Sequence, residues 1–500
     1  MGNSEKILSI DISSEKVKVG IISDELELET VSVQDYHSLD EDINGFAKSF
    51  NMNEIWKKIK IGIKTVVKEN KPDSIIGISS CGQRMATVFL DKQGNEIYGG
   101  PNTDMRGIDS AYLIEDEFSE EELFNITAHS PFFLFTLARL LWFREEKEEL
   151  YENFGKILML DDWIVYKLTG EVYTDYSSLG ESLLFDIRKK KWSQEILDVF
   201  DINPEILPEI VDPNTFVGEL KTELINEFGI TQKVSVFKGC GDTQASLLGM
   251  GVIENGTIGI SLGTTAPLHL VVDKPIIDTA LNFWTECHVI KDKWLIEAST
   301  GGTGRAYDWF KNAFISNTEG DTNEIMDYLI SKSKPGISST YAFLGPELMA
   351  LKDQTSIKRG VFIFPPPSMI GEELPRLENF AQSVIEGICF GILENFEALL
   401  HFSSSEPKIF CAGGMTKSHE FCKILSNILD HEIKVPQIKD SAFIGCAMNV
   451  LMGLNLYPDY RSIVDKLIRF EKFTNETQNS NKYKKVFKEW KNLKTKISKL

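Results

Sequence analysis

The chain has 500 residues, of which 42% are hydrophobic and 25% charged, proportions of an ordinary globular protein with room for two or three domains. Its 53 Lys and Arg against 74 Asp and Glu leave a formal charge of −21, which argues against nucleic acid or an anionic membrane as the main partner. A phosphate-bearing cofactor is not excluded, because helix N-termini and glycine loops bind phosphate without net positive charge. The 7 cysteines are scattered without a CxxC pair and read as buried reduced thiols, while the 7 histidines show no HxxxH or HExxH spacing that would suggest zinc. The first residues, MGNSEKILSI, lack a basic stretch followed by an apolar core, and no apolar run reaches the roughly 18 residues of a membrane span. A cytoplasmic protein is expected.

In chain order, two strands at 7–12 and 17–22 flank a polar turn at 13–16. Helical periodicity follows at 55–69, a buried strand at 74–79, and helices at 137–154 and 161–169, the last ended by Gly170. The acidic run 115–122 reads as a solvated helix face. A β-rich run at 233–238 leads into Gly239-Cys240-Gly241-Asp242, then a helix-length stretch and a turn at Glu254-Asn255-Gly256. Strands at 256–262 and 266–272 then flank Gly263-Thr264-Thr265, repeating the opening plan; two such hairpins suggest duplicated domains facing one ligand. A long apolar helix at 380–400 precedes a strand at 408–411, the turn Gly413-Gly414-Met415 and a helix at 419–429. The tail from Lys482 places Tyr483, Val486, Phe487, Trp490, Leu493 and Ile497 at helical spacing, an amphipathic helix expected to pack on its own domain after a flexible joint at 474–481.

The segment from Gly239 to Thr265 carries the most chemistry. Glycines around Asp242 let backbone and ligand approach closely. The Gly263–Thr265 turn offers backbone N–H groups and two hydroxyls to an anion. An acid beside a phosphate-holding loop is what phosphoryl transfer to an alcohol requires. The plainer alternative is that Asp242 caps the following helix.

Taken together, these tracts resemble the FGGY carbohydrate kinases, a branch of the actin/hexokinase/Hsp70 superfamily. The first phosphate loop is similar to residues 11–18, the sugar-contacting element to Cys81-Gly82-Gln83-Arg84-Met85, and a further motif to Asn102-Thr103-Asp104-Met105-Arg106. Asp162-Trp163, Leu168-Thr169-Gly170-Glu171, Thr174-Asp175, Gly239 to Asp242, Gly263 to Thr265, Gly304, Gly413-Gly414 and Gly445-Cys446-Ala447 follow in the family's order.

The resemblance implies an α/β fold of two ribonuclease H-like domains with an interdomain cleft. Residues 1–250 would be mainly sugar-binding and 251–473 mainly ATP-binding, with 474–500 a linker and C-terminal helix. It implies ATP and magnesium as cofactors, a small sugar or polyol as partner, no nucleic acid or membrane, and leaves room for a homodimer. Asp242 matches the family's catalytic base and Asp11 its metal-proximal acid. Gln83, Arg84, Asp104 and Asp242 match substrate positions. Ser13, Ser14, Lys16, Gly263, Thr264, Thr265, Gly304, Gly413, Gly414 and Ser418 match nucleotide positions. The acceptor stays open among a xylulose-like ketose, a polyol and the autoinducer-2 precursor.

Other assignments stay open as well. Arg84 could pair with Asp104 as scaffold, Asp104 and Arg106 could form an interior ion pair, and Trp163 and Trp309 are expected in the core rather than as stacking platforms. The chain departs from the family's loop at Ser13 and Ser14, at Met415, and in a short connection after Gly371-Glu372-Glu373-Leu374-Pro375. These departures motivate an alternative, a non-catalytic nucleotide-binding sensor of the same fold.

Overall fold

The computed structural model describes residues 5–70, 74–316, 320–332, 334, 339–345, 359–366, 374–403, 405–438 and 440–498. Gly371, Glu372 and Glu373 of the shortened connection lie outside them. The chain forms two compact units, each gathered from three stretches: Met1–Ile253, Asp273–Leu295 and Ile438–Arg469 in the first, Glu254–Val272, Ile296–Gln437 and Phe470–Leu500 in the second.

The first unit is built on a seven-stranded sheet in which Phe216–Glu219, Ser235–Phe237, Ile75–Gly82, Lys6–Ile12, Lys16–Ser23 and Leu28–Asp35 lie in that order, with Cys240–Gly241 added beside Ile75–Gly82. The opening hairpin forms as the sequence suggests, with Asp11 opposite Lys18 and Ile12 opposite Val17. Lys6–Ile12, Ile75–Gly82 and Cys240–Gly241 run parallel, so that Asp11 faces Cys81 and Cys240 faces the same residue from the other side. Their carboxyl ends therefore open together, the usual place for ligands in an α/β sheet.

The helix Met52–Glu69, capped by Asn51, buries Ile55, Ile59, Ile63, Val66 and Val67 under the sheet. Two further helices of this unit, Asp242–Gly249 and Ser441–Gly453, cross at backbone contact. A Cβ on Gly249 would stand 2.0 Å from the Ser441 carbonyl oxygen, and one on Gly445 would stand 1.9 Å from that of Ala245. That crossing accounts for the glycine of the Gly445-Cys446-Ala447 tract.

One sequence expectation fails in this unit and a second holds in part: the acidic side chains of 115–122 are mostly exposed on helix, but on two helices rather than one. The helix expected over 137–154 is instead Thr136–Glu146 and the short Glu148–Tyr151, and Phe154 opens a strand, Phe154–Met159. That strand pairs antiparallel with Thr87–Asp91 and buries Phe154 and Leu158, so tertiary pairing overrides the local helical pattern. The acidic run 115–122 is broken at Phe118, which is buried, and Ser119 starts a new helix, Glu120–Thr127, through a capping box with Glu122.

In the second unit Ala266–Val272 and Thr257–Ser261 form the second hairpin. Thr257–Ser261 continues in parallel to Lys408–Ala412 and then Ile433–Pro436, with Phe470–Phe473 antiparallel at the end. The helix Leu377–Leu399 is buried along most of its length, and the terminal helix Thr477–Ile497 lays Tyr483, Phe487 and Trp490 against Phe390. The joint expected at 474–481 is helical from Thr477 onward. It is fixed because Asn427 Oδ1 accepts from the Glu476 amide at 2.7 Å and Asn475 donates to Asp430 at 2.7 Å. Trp163 is fully buried as expected. Trp309 is 47% exposed, a correction: its ring lies over Phe362 at 6.4 Å between centroids rather than in the core.

Candidate active site

The carboxyl ends of the three parallel strands gather Asp11, Gln83 and Asp242 in the first unit. Asp11 is buried, and its Oδ2 is 3.0 Å from Lys18 Nζ, which also lies 3.1 Å from Asp440 Oδ2. Burial raises the Asp11 carboxyl against the pull of Lys18. Burial alone would lower the Lys18 ammonium, yet Asp11 and Asp440 hold it above the usual lysine value. One buried and one half-buried carboxylate thus converge on a single ammonium.

Asp242 is the first residue of its helix, while the cap position belongs to Gly241. The plain capping alternative therefore does not describe it: its carboxylate accepts from the neighbouring Thr243 amide at 2.7 Å. Burial pushes the Asp242 carboxyl up to about 6, with Arg84 pulling it down and Asp11 pushing it further up. Just upstream, Lys238 is fully buried among Asp161, Asp162 and Asp175, at 2.9 Å from Asp162 and 2.8 Å from Asp175. Burial would lower its ammonium, but the three aspartates hold it well above the usual value. This ion cluster anchors the segment that delivers Asp242.

Gln83 is buried, and its amide is spent on the frame. It donates to Tyr36 Oη at 3.0 Å and to the Ser13 carbonyl at 3.4 Å, and accepts from the Asn102 amide at 3.3 Å. Asp104 is fully buried and accepts from Arg106 Nε at 2.7 Å and the Lys48 amide at 2.8 Å. It forms the interior ion pair with Arg106 rather than one with Arg84.

Arg84 turns elsewhere. Its Nη1 is 3.1 Å from Glu181 Oε1 and closer still to Glu286 Oε1, and Gln244 Nε2 donates to Glu286 Oε2 at 2.7 Å. Glu181, Gln244 and Glu286 escaped the sequence reading, because no spacing rule links residues so far apart. Ser13 is half-buried, with its amide donating to the Lys16 carbonyl at 3.0 Å, while Ser14 and Lys16 are exposed. Ser13 is not among the described non-glycine residues with positive φ, so its Cβ does not strain the turn.

In the second unit Gly263, Thr264 and Thr265 are exposed at the hairpin tip. The Gly263 amide donates to the Thr265 carbonyl at 3.0 Å, so an anion there would meet the other amides and the two hydroxyls. The helix Thr303–Phe314 starts against this tip: Gly304 N donates to Thr264 O at 3.1 Å, and a Cβ on Gly304 would stand 2.3 Å from the Gly263 carbonyl oxygen. Gly413, at φ 119°, passes Leu262 equally closely. Ser418 caps the helix His419–Leu429 and donates to Asp327. Gly263, Thr264, Gly304, Gly414 and Ser418 border one cavity of about 540 Å³, of a size suited to a small organic ligand. The sequence reading missed Asp308, Lys311, Asp321, Glu324, Asp327 and Lys417 on its walls. Thr265 and Gly413 do not line it.

Two α/β units carry the same hairpin, with paired aspartates in one and a glycine-walled cavity in the other, a fold of the actin/hexokinase type. Residues 6–249 match the N-terminal domain and 258–454 the C-terminal domain of the FGGY family of carbohydrate kinases. The chain belongs to that family and is a phosphotransferase of the sugar-kinase type.

It is 29% identical to the YoaC protein of Bacillus subtilis over 438 residues, 87% of each chain. It is 26% identical to the xylulose kinase of Lactococcus lactis, covering 97% of this chain and 95% of that one. The crystal structure of a ligand-bound xylulose kinase from Lactobacillus acidophilus superposes with a TM-score of 0.87 at 17% identity, over 99% of this chain and 98% of that one. No helix among the described residues is long and apolar enough to cross a membrane.

Proposed function

We propose that this protein transfers the γ-phosphoryl group of ATP to a hydroxyl of a small sugar or polyol in the cytoplasm, with Asp242 as general base. The observation that carries the reading is Asp242 itself, at the end of a parallel strand beside Asp11 and Arg84, with a carboxyl held at about 6. A base is most useful when its pKa lies near the working pH. Its carboxylate takes the proton as the acceptor oxygen forms its bond to phosphorus and the bond to ADP breaks.

Asp11 and Asp440 are the residues that would hold magnesium, through its water, and the ion supplies neutralising charge to the phosphates. Carboxylate oxygens are the hard ligands such an ion takes, and the charge of the ion would offset the burial that raises the Asp11 carboxyl. The nucleotide would bind mainly on the second unit, where hydroxyls and amides of Thr264 and Thr265 face its phosphates. Asp308, Asp321, Glu324 and Asp327 line its cavity and would offer acceptors to ribose hydroxyls. The acceptor would bind mainly on the first unit, with Arg84 beside the base and Gln83 ordering the loop behind it. Preorganised positioning and charge supply most of the acceleration.

An ATP-consumption screen across ketopentoses, tetritols, glycerol and dihydroxypentanedione tests the reading. At least one acceptor is expected to drive ATP turnover above the acceptor-free rate. Nucleotide binding without turnover on any of them would favour the sensor alternative.

A further inference from the structure

Arg84 is placed beside the base, where a free guanidinium would be a receptor for a carboxylate or phosphate. It is not free. Glu286 Oε1 and Glu181 Oε1 both sit on its Nη1, and Asp242 adds a third carboxylate nearby, within electrostatic reach of both Arg84 and Glu181. Three carboxylates thus gather around one guanidinium, and an anionic acceptor would meet like charge.

Glu286 has a second effect. Its Oε2 accepts from Gln244 Nε2 at 2.7 Å, which fixes the amide so that Gln244 Oε1 faces Gly241. A Cβ on Gly241 would stand 2.6 Å from that oxygen and 3.4 Å from Arg84 Cγ. Gln244 is fully buried, and its Oε1 has no hydrogen-bond partner among the described residues. An orphaned acceptor two residues from the proposed base is satisfied by a hydroxyl, which carries a proton to donate, and not by a carboxylate, which carries none.

An aromatic cluster adjoins these groups. Trp284 lies two residues before Glu286 on the strand Trp284–Cys287 and so projects from the same face. It packs on His129 at 4.9 Å and on Phe135 at 5.5 Å between ring centroids. His129 and Glu286 meet at Gly180, whose Cβ would stand 3.1 Å from one and 3.7 Å from the other. An aromatic wall beside hydroxyl acceptors suits the C–H face and hydroxyl edge of a neutral polyol.

We infer that Glu286 is a positioning residue that sets the acceptor class: acting through Arg84 and Gln244, it selects an uncharged polyol or ketose over the corresponding sugar acid. This rests on the kinase reading given above.

The test compares wild type, Glu286→Gln and Glu286→Asp on neutral ketopentoses, pentitols and glycerol against the matching aldonic acids. Steady-state kinetics at saturating ATP are read alongside calorimetric binding of the acceptors without nucleotide. Wild type is expected to prefer the neutral acceptors by roughly 100-fold or more, the scale on which a buried, unsatisfied polar group discriminates. In Glu286→Gln that ratio is expected to shrink about tenfold, mainly through the acceptor KM with the ATP KM unchanged, and Asp restores part of it.

An unchanged ratio in a folded Glu286→Gln, or a wild type that binds sugar acids as well as neutral acceptors, overturns the inference. If Glu286→Gln does not fold, Gln244→Met reads the same site. It is expected to lower kcat/KM for neutral acceptors about tenfold without improving the acids, and no change overturns the inference. Selective binding of neutral acceptors without any phosphate transfer would defeat the kinase reading and leave the acceptor class standing. Efficient transfer to sugar acids would do the reverse.

Discussion

The two hairpins, Lys6–Ile12 with Lys16–Ser23 in the first unit and Thr257–Ser261 with Ala266–Val272 in the second, share a plan and differ in how they are made functional. In both, the first residue of the tip spends its amide inside the turn: Ser13 N on Lys16 O, Gly263 N on Thr265 O. Both are followed across the sheet by a parallel strand, Ile75–Gly82 in one and Lys408–Ala412 in the other. From there they part. The first is a charge device, with Asp11, Lys18 and Asp440 linked within about one hydrogen bond of each other. The second is a backbone device, in which Gly304 and Gly413 allow chain segments to approach its strand and tip at distances no side chain tolerates. On the proposed reading, the same topology serves acid–base chemistry on one unit and anion seating on the other.

On the proposed reading, the chemistry of the first unit is broken most completely at Asp242→Asn, which keeps shape and removes the proposed base. Phosphoryl transfer is expected to fall by on the order of 10²–10⁴ while nucleotide affinity, measured by calorimetry, holds. Wild-type turnover in this variant would remove Asp242 from the mechanism. Lys238→Met strands three buried aspartates and should cost about 3–5 kcal/mol of stability, read from chemical denaturation.

The backbone device is broken at Gly304→Ala, whose Cβ would meet the Gly263 carbonyl oxygen at 2.3 Å. A destabilisation of about 1–3 kcal/mol is expected, together with weaker nucleotide binding and unchanged acceptor affinity. Equal losses for both ligands would show that the two hairpins are not separable in this way.

The pH profile separates them differently. Burial lifts the Asp242 carboxyl from 3.8 to about 6, so log kcat/KM should fall with a slope near one as pH drops below about 6. The same shift makes Asp242 oppose stability as pH rises between those values, since the native state then holds a proton that the unfolded chain has released. A profile flat from pH 5 to 8 would place the base elsewhere. The smallest effect is expected at Ser13→Gly. Its φ does not require glycine and its hydroxyl lies only 3.4 Å from Lys16 O. A loss of ATP affinity or transfer below about tenfold would fit a hydroxyl that assists phosphate binding, whereas a rise in activity would mean that serine hinders the loop.

Local pattern was enough to read the two hairpins, the helix His419–Leu429 and the Asp242 segment, because alternation, glycine placement and capping residues act over a few positions. Family order in the sequence then identified the kinase fold. The sequence could not show that 154 opens a strand, since its helical periodicity lost to a ladder formed with Thr87–Asp91. Nor could it show that Ile438–Arg469 returns to the first unit and brings Asp440 to Lys18. Asp104 carried the right motif, yet its carboxylate is consumed by Arg106 and the Lys48 amide. Arg84 stood out by its motif, but its partners did not: Glu181, Gln244 and Glu286 come from three distant segments. Residue type and spacing determine which groups are available to a site. Only the tertiary structure decides which of them are already neutralised by a neighbour, because burial and pairing depend on what the rest of the chain packs beside them.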